Sequence, residues 1–317
     1  MTTVCTTVAG PREWLSVHVS FEGSIYGASA DRVILKLLGP LVRELLEQGW
    51  MHRYFFVRYG AGGAHVRFRV LGWRSVLHDR VLPLILERAG ACRASDRQDT
   101  GESAGPVRVE PVVYEPEWDR YGGPSGIALA EWHFHASSEA AIRLLRGVPP
   151  GDAAARLAKA LLAMVVLAHA FSDDRAGAVR FLRLYRTRYL QGMVQAEERR
   201  ESYRRAFENG YTRQADGLAP YVEETWSRLE LGEALSVALD DFVLHVRELR
   251  RRFDRLAASG GLAHGAAVLY ARVPAMHRIV PSYVHMMSNR LGVPIIHEAY
   301  LANLIARALG TPAARAS

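Results

Sequence analysis

At 317 residues the chain is long enough to bury a full core without cross-links, and its two cysteines, Cys5 and Cys92, supply neither a disulfide framework nor a zinc site. The net charge of +7 comes almost wholly from arginine, Lys36 and Lys159 being the only lysines, and these arginines are scattered among acids. That pattern argues against a dedicated nucleic-acid surface and for an anionic small group or a peptide as partner.

No basic leader with an apolar run opens the sequence, and the most apolar stretch (residues 160–171) is about half a bilayer span, so a soluble chain in a reducing cytoplasm is expected. In chain order, residues 13–21 (EWLSVHVSF) read as a strand. Residues 30–48 carry Val33, Leu37, Leu38, Leu41 and Leu45 at helical spacing and stop at Gly49. Residues 54–59 and 65–71 flank the GAGG turn and predict a hairpin. A second helix is expected over 75–88, a mobile polar loop over 94–104 and a further strand over 107–114.

This β-α-β-β-α-β order predicts an α+β fold, an antiparallel sheet of ferredoxin-like (split βαβ) type followed by a helical layer. Pro124 opens a helix to Arg146, GVPPGD punctuates, and Asp152 caps the next helix. Helices follow at about 153–171, 174–208 (broken near Gly192), 218–231, 234–258, 275–291 and 297–309. Residues 1–150 are expected to form the sheet-bearing part and 151–317 the helical part packed on it, the two making one compact functional unit.

Three strings carry chemistry. In HVRFR, alternation along a strand puts His65, Arg67 and Arg69 on one face and Val66, Phe68 and Val70 on the other. Two same-face arginines about 7 Å apart repel unless an anion lies between them, and Arg58 on the paired strand is expected to add a third. In YEPEWDRYGG, a turn lets the Glu117 carboxylate fix the plane of Arg120, with Tyr114, Trp118 and Tyr121 as the rim of a partly dehydrated pocket. Gly122 and Gly123 permit positive φ before the helix that starts at Pro124, whose N-terminus favours an anion. In HMMSNRLG, His285 and Asn289 are four apart on one helix face, and histidine is the side chain that exchanges a proton near neutral pH. The remaining histidines lack such neighbours; His133 and His135 alternate without a third ligand, so no metal site is expected. No GxGxxG, Walker or GxSxG string occurs, and no cofactor is implied.

Taken in order, WLSVHV, RYG…HVRFR, E-x-x-RYGG and HMMSNRLG make the chain similar to the C-terminal elimination domain of class I lanthipeptide dehydratases and its stand-alone relatives in thiopeptide biosynthesis. The resemblance runs over essentially the whole chain. It implies action on a ribosomally made precursor peptide, leader plus core. A separate glutamylating subunit esterifies serine or threonine from glutamyl-tRNA, and the elimination domain expels glutamate to leave dehydroalanine or dehydrobutyrine. Arg67, Arg69, Glu117, Arg120 and His285 match the family's elimination positions. Arg58, His65, Tyr121 and Asn289 are the implied substrate contacts. Related small proteins instead join two dehydroalanines in a formal [4+2] cycloaddition that builds a pyridine and releases the leader. That is the second reading, and a non-catalytic leader-binding scaffold is the third. Relatives are often dimeric, which carries a homodimer as an expectation; direct tRNA contact and a membrane are not expected.

Overall fold

The computed structural model describes residues 11–99, 105–262 and 274–310. Cys5, His264 and residues 100–104 of the expected polar loop lie outside these described residues. The chain divides into two compact units: unit 1 comprises residues up to Pro116 together with Ser137–Arg146, and unit 2 comprises Glu117–Ala136 and the residues from Gly147 onward.

Unit 1 is built on a four-stranded antiparallel sheet in the order β2-β3-β1-β4, formed by β1 (Arg12–Ser20), β2 (Arg53–Tyr59), β3 (His65–Trp73) and β4 (Arg108–Val112). The α+β class read from the sequence holds. The GAGG turn closes β2 onto β3 with Tyr59 opposite His65, and Gly62 and Gly63 take the positive φ that the tight reversal needs. Alternation is strict on β3: Val66, Phe68 and Val70 are fully buried, while Arg67 and Arg69 face the other way and stay half-buried.

The helix expected over 30–48 is observed as α1 (Ala28–Arg32), a π-helical segment (Val33–Leu38) and α2 (Gly39–Glu47). The second is likewise α3 (Arg74–Val76), a π segment (Leu77–Val81) and α4 (Leu82–Asp99). Each π segment ends two residues before a proline, Pro40 and Pro83. Proline lacks an N–H and its ring crowds the carbonyl four residues back, so widening the preceding turn relieves the clash. The expected loop over 94–104 is corrected at its start: α4 runs to Asp99, because alanine and arginine continue a helix readily despite their polar company.

Past β4 the chain is helical: α5 (Trp118–Tyr121), α6 (Pro124–Arg146), α7 (Ala153–Ala170), α8 (Arg175–Met193), α9 (Glu197–Thr212), α10 (Ala215–Leu231), α11 (Asp240–Ala258), α12 (Ala275–Arg290) and α13 (Ile295–Gly310). The expected cap forms, with the Ala155 amide donating to Asp152 Oδ1 at 2.8 Å. The long 174–208 helix is broken after Met193, close to Gly192. The start expected at 234 is delayed to Asp240, whose Oδ1 instead accepts the amides of Leu235 and Ser236 and holds them in a loop. Within unit 1 the last turns of α6 cover the β2 edge, where Ser138 Oγ accepts the Phe56 amide at 3.3 Å.

α7 is apolar on nearly every side, and residues 163–168 are all buried, which makes it the central helix of unit 2. Arg156 on its first turns donates to the Leu291 carbonyl at 2.6 Å and pins the C-terminal end of α12. α8 and α13 pack along each other.

One buried pair in unit 2 has a thermodynamic consequence. His133 on α6 is fully buried and stacks on His245 of α11, ring centroids 5.5 Å apart. Burial pushes both imidazoles down, His245 to about 4, with His135 and Arg252 adding to the effect there. The unfolded chain then binds protons that the folded chain refuses, so stability falls as pH drops from 6.5 toward 4. At about 1.4 kcal/mol per pKa unit, His245 alone costs at most about 3 kcal/mol across that window. Urea unfolding at stepped pH is expected to show this loss in the wild type and a flatter profile in His245→Gln.

Candidate active site

Two groups of functional side chains emerge, one in each unit. In unit 1, strand pairing aligns His18 with Arg67 on one side and Glu110 on the other. His18 stacks on His65 with centroids 4.4 Å apart, and burial, helped by His65, Arg67 and Arg69, pushes its imidazole below 6.5. The sequence alone gives His18 no such neighbours; only the β1–β3 register reveals them. Arg67 lies on the Tyr59 ring at 3.4 Å, and Arg69 lies between Phe55 and Tyr114 at 5.1 and 4.8 Å. The two same-face guanidiniums are therefore held on aromatic faces, and the mutual repulsion is met by cation–π attraction.

Arg58 does not join them. It pairs across β2–β3 with Val66, on the core side of the sheet, and is 1% exposed. There Nη2 bonds the Asp31 carboxylate at 2.6 Å and Nη1 the Ile25 carbonyl at 2.9 Å. Expected as a substrate contact beside Arg67, it lies instead on the opposite face of the sheet, because an odd number of residues along the hairpin separates the two. His65 is 6% exposed, with Nδ1 on the Gly63 carbonyl and Nε2 buried without a partner among the described residues.

In unit 2 the geometry begins at α5. Arg120 Nη1 bonds Glu117 Oε2 at 3.0 Å, the pairing expected from their spacing, and Nε bonds Ser282 Oγ of α12, also at 3.0 Å. With one edge on a carboxylate and another on a hydroxyl, the guanidinium plane is fixed while its side chain remains 35% exposed. Gly122 and Gly123 have φ of 86° and 88°, as the turn requires. Gly126, one turn into α6, is a close approach: a Cβ there would lie 1.8 Å from the Tyr121 carbonyl oxygen. Tyr121, expected as a substrate contact, packs inside unit 2. It is 1% exposed, stacked on Tyr283 and edge-on to Phe134, directly behind Arg120.

One turn along α12 from Ser282 comes His285. Its Nδ1 lies 3.0 Å from Glu298 Oε1 on α13, not on Asn289, and Glu298 is wholly buried. The second carboxylate oxygen of Glu298 accepts the Tyr185 hydroxyl at 2.5 Å. Such a carboxylate sets the imidazole tautomer, with the proton on Nδ1 and the lone pair on Nε2. Tyr189, four residues along α8 from Tyr185, has its ring 5.7 Å from that of His285, and its hydroxyl donates to the Pro281 carbonyl at 3.4 Å. Burial and the Glu298 charge push the Tyr189 hydroxyl up to about 12, so it remains a proton donor across the physiological range. Asn289 lies one further turn along the same half-exposed face as His285.

Ser282, Glu298, Tyr185 and Tyr189 are absent from the sequence reading. Nothing in HEAY or YRTRY marks them locally; they become candidates only through the contacts that α12 and α13 make with each other and that α8 makes with α13. The cluster's parts are a fixed guanidinium, suited to an anion, and an oriented imidazole whose Nε2, unlike Nδ1, has no hydrogen bond among the described residues.

A family model described as the C-terminal part of lantibiotic biosynthesis dehydratases matches residues 14–309. Among solved structures, TbtD, described as the pyridine synthase from thiomuracin biosynthesis, matches with a TM-score of 0.68 at 19% identity over 94% of this chain and 97% of TbtD. TsrL matches at 0.62 and 18% identity over 94% of both chains. MibB from Microbispora sp. 107891, described as a tRNA dependent lantibiotic dehydratase, matches at 0.62 and 23% identity over 97% of this chain but only 28% of its own length. Compared by sequence with curated proteins, the chain has no match. The structural likenesses, at these identities, speak for a shared fold, whereas the family match spans nearly all of the sequence. The chain belongs to the lantibiotic biosynthesis dehydratase C-terminal family, and with it to the maturation of ribosomally made peptides.

Proposed function

We propose that the protein eliminates glutamate from O-glutamylated serine or threonine in a precursor peptide. In this reaction the Cα–H bond breaks and its proton passes to a base. The electron pair forms the Cα=Cβ bond of a dehydroamino acid, and the Cβ–O bond breaks to release glutamate as its carboxylate. The observation that carries the reading is the pairing of a Glu117-held Arg120 with a Glu298-held His285 along one stretch of α12. His285 Nε2 is the proton-transfer group, as base to Cα–H or as acid to the departing carboxylate. Arg120 is the holder of the glutamyl carboxylate, and Tyr189 a second donor beside it. Arg67 and Arg69 are proposed as anion-holding groups, with His18 beside them.

A second reading is the formal [4+2] cycloaddition between two dehydroalanines. Its support is that TbtD, described as a pyridine synthase, matches this chain over nearly its full length. Against it stands the charge of the cluster: a cycloaddition expels no dicarboxylate that a carboxylate-braced guanidinium would serve.

The deciding experiment is mass spectrometry on a glutamylated precursor peptide incubated with the protein. Stepwise loss of glutamate with a matching dehydroamino acid is the expected result. Glutamylated peptide that persists unchanged, together with pyridine formation and leader release from an already dehydrated peptide, would overturn elimination in favour of the cycloaddition.

A further inference from the structure

Beside the His285 cluster, α8 and the first turns of α12 enclose a cleft of about 320 Å³ whose purpose the elimination chemistry leaves unassigned. That volume is near the lower limit for sites that hold small ligands or side chains. Its floor is apolar, made by Phe181, Leu184 and Pro281, and Leu184 remains 48% exposed although nothing polar recommends it to water. Arg188 and Arg278 also line it.

Many arginines of unit 2 are met by a carboxylate, but Arg186 and Arg247 bond an amide oxygen and a backbone carbonyl instead, and the two cleft arginines belong with them. Around unit 2, Arg175, Arg200, Arg204, Arg250, Arg252 and Arg307 are each paired with a carboxylate. Arg188 and Arg278 have none among the described residues: Arg188 Nη1 reaches only the His277 carbonyl at 3.3 Å, and Arg278 Nη2 the Leu262 carbonyl at 2.9 Å. Pro281, inside α12, explains the first contact, since its missing N–H leaves the His277 carbonyl without a helical donor. Arg278 Nε is buried and has no hydrogen-bond partner among the described residues. An apolar trough lined by two cations and, among the described residues, by no carboxylate is complementary to an apolar side chain next to an acidic one.

We propose that this cleft is a peptide subsite that takes an apolar residue followed by aspartate or glutamate. The apolar side chain lies on Phe181, Leu184 and Pro281, and the carboxylate meets Arg188 and Arg278. Tyr185, whose hydroxyl holds Glu298, forms part of the same wall, so a peptide anchored here is tethered close to His285. The inference rests on the reading that the substrate is a peptide, and it adds the sequence character that the peptide presents.

The test uses the whole chain and three fluorescein-labelled peptides that differ only at two central positions: Leu-Glu, Leu-Gln and Ser-Glu. Fluorescence anisotropy is expected to show the Leu-Glu peptide binding at least about ten-fold more tightly than either other peptide. The preference is lost in Arg188→Gln/Arg278→Gln and in Leu184→Ser, and kept in Arg205→Gln, a surface control that faces Glu201. Leu184→Ser changes an exposed side chain, so it decides the matter if the double variant fails to fold. Equal binding of all three peptides, no binding of any, or an undiminished preference in Leu184→Ser overturns the subsite. Elimination from the glutamylated precursor is measured in parallel. A lost preference with intact elimination sinks only the subsite, and a retained preference without elimination sinks only the catalytic reading.

Discussion

Replacing His285 with asparagine is expected to lower elimination by roughly 10²–10⁴-fold while the protein still folds and binds peptide. The reasoning starts from Glu298. A fully buried carboxylate that accepts from both Nδ1 of His285 and the Tyr185 hydroxyl leaves the imidazole one productive orientation, with Nε2 toward the half-exposed side of α12. Asparagine keeps a donor for Glu298, so the buried charge is not abandoned, but it offers nothing that can take a proton. Single-turnover decay of a glutamylated peptide reads the effect directly. Glu298→Gln is the companion: it preserves volume and removes the charge, and a smaller drop of about 10–100-fold is expected, in line with other groups that act through a histidine. Full activity in His285→Asn would remove the residue from the chemistry altogether.

Removal of the guanidinium in Arg120→Ala is expected to let glutamyl adducts accumulate on the peptide, with elimination down by about 10²–10³-fold. Arg120→Lys is expected to restore little. Lysine can approach Glu117 as a point charge, yet it cannot hold Glu117 and Ser282 through two edges and still present a third to substrate. The measurement is the ratio of glutamylated to dehydrated product by mass. Normal turnover by Arg120→Ala would take the α5 turn out of the site. Because Tyr121, not Arg120, fills the space between Tyr283 and Phe134, loss of activity here is separable from loss of packing.

Much of this was legible before any coordinates. Alternation in HVRFR put Arg67 and Arg69 on one face because a strand has a period of two, and the three-residue spacing of Glu117 and Arg120 suited a single turn. Pro124 to Arg146 was bounded at both ends by its own signals. What escaped depended on pairings between distant segments. Arg58 looked like a third cation until the hairpin register put it opposite Val66. His18 gained meaning only from lying across β1–β3 from Arg67. Glu298 and Tyr185 are 113 residues apart in sequence, and a buried acid in the first turn of a helix looks like any capping residue until its partner arrives. For Tyr121 the sequence neighbours suggest the rim of a partly dehydrated pocket, and only the packing against Tyr283 shows how fully the ring is covered.

The serine hydroxyl that takes up the Phe56 amide has an effect beyond local satisfaction. An unguarded outer strand invites foreign chains to extend the ladder, which is how sheet proteins polymerise. On the β2 flank one invitation is already withdrawn by a helix-borne side chain. On the opposite flank, Pro111 in β4 subtracts a donor from any newcomer's reach. For the proposed action on a precursor peptide, such reticence is an advantage: a peptide can be gripped by its side chains without its backbone being zipped onto the sheet.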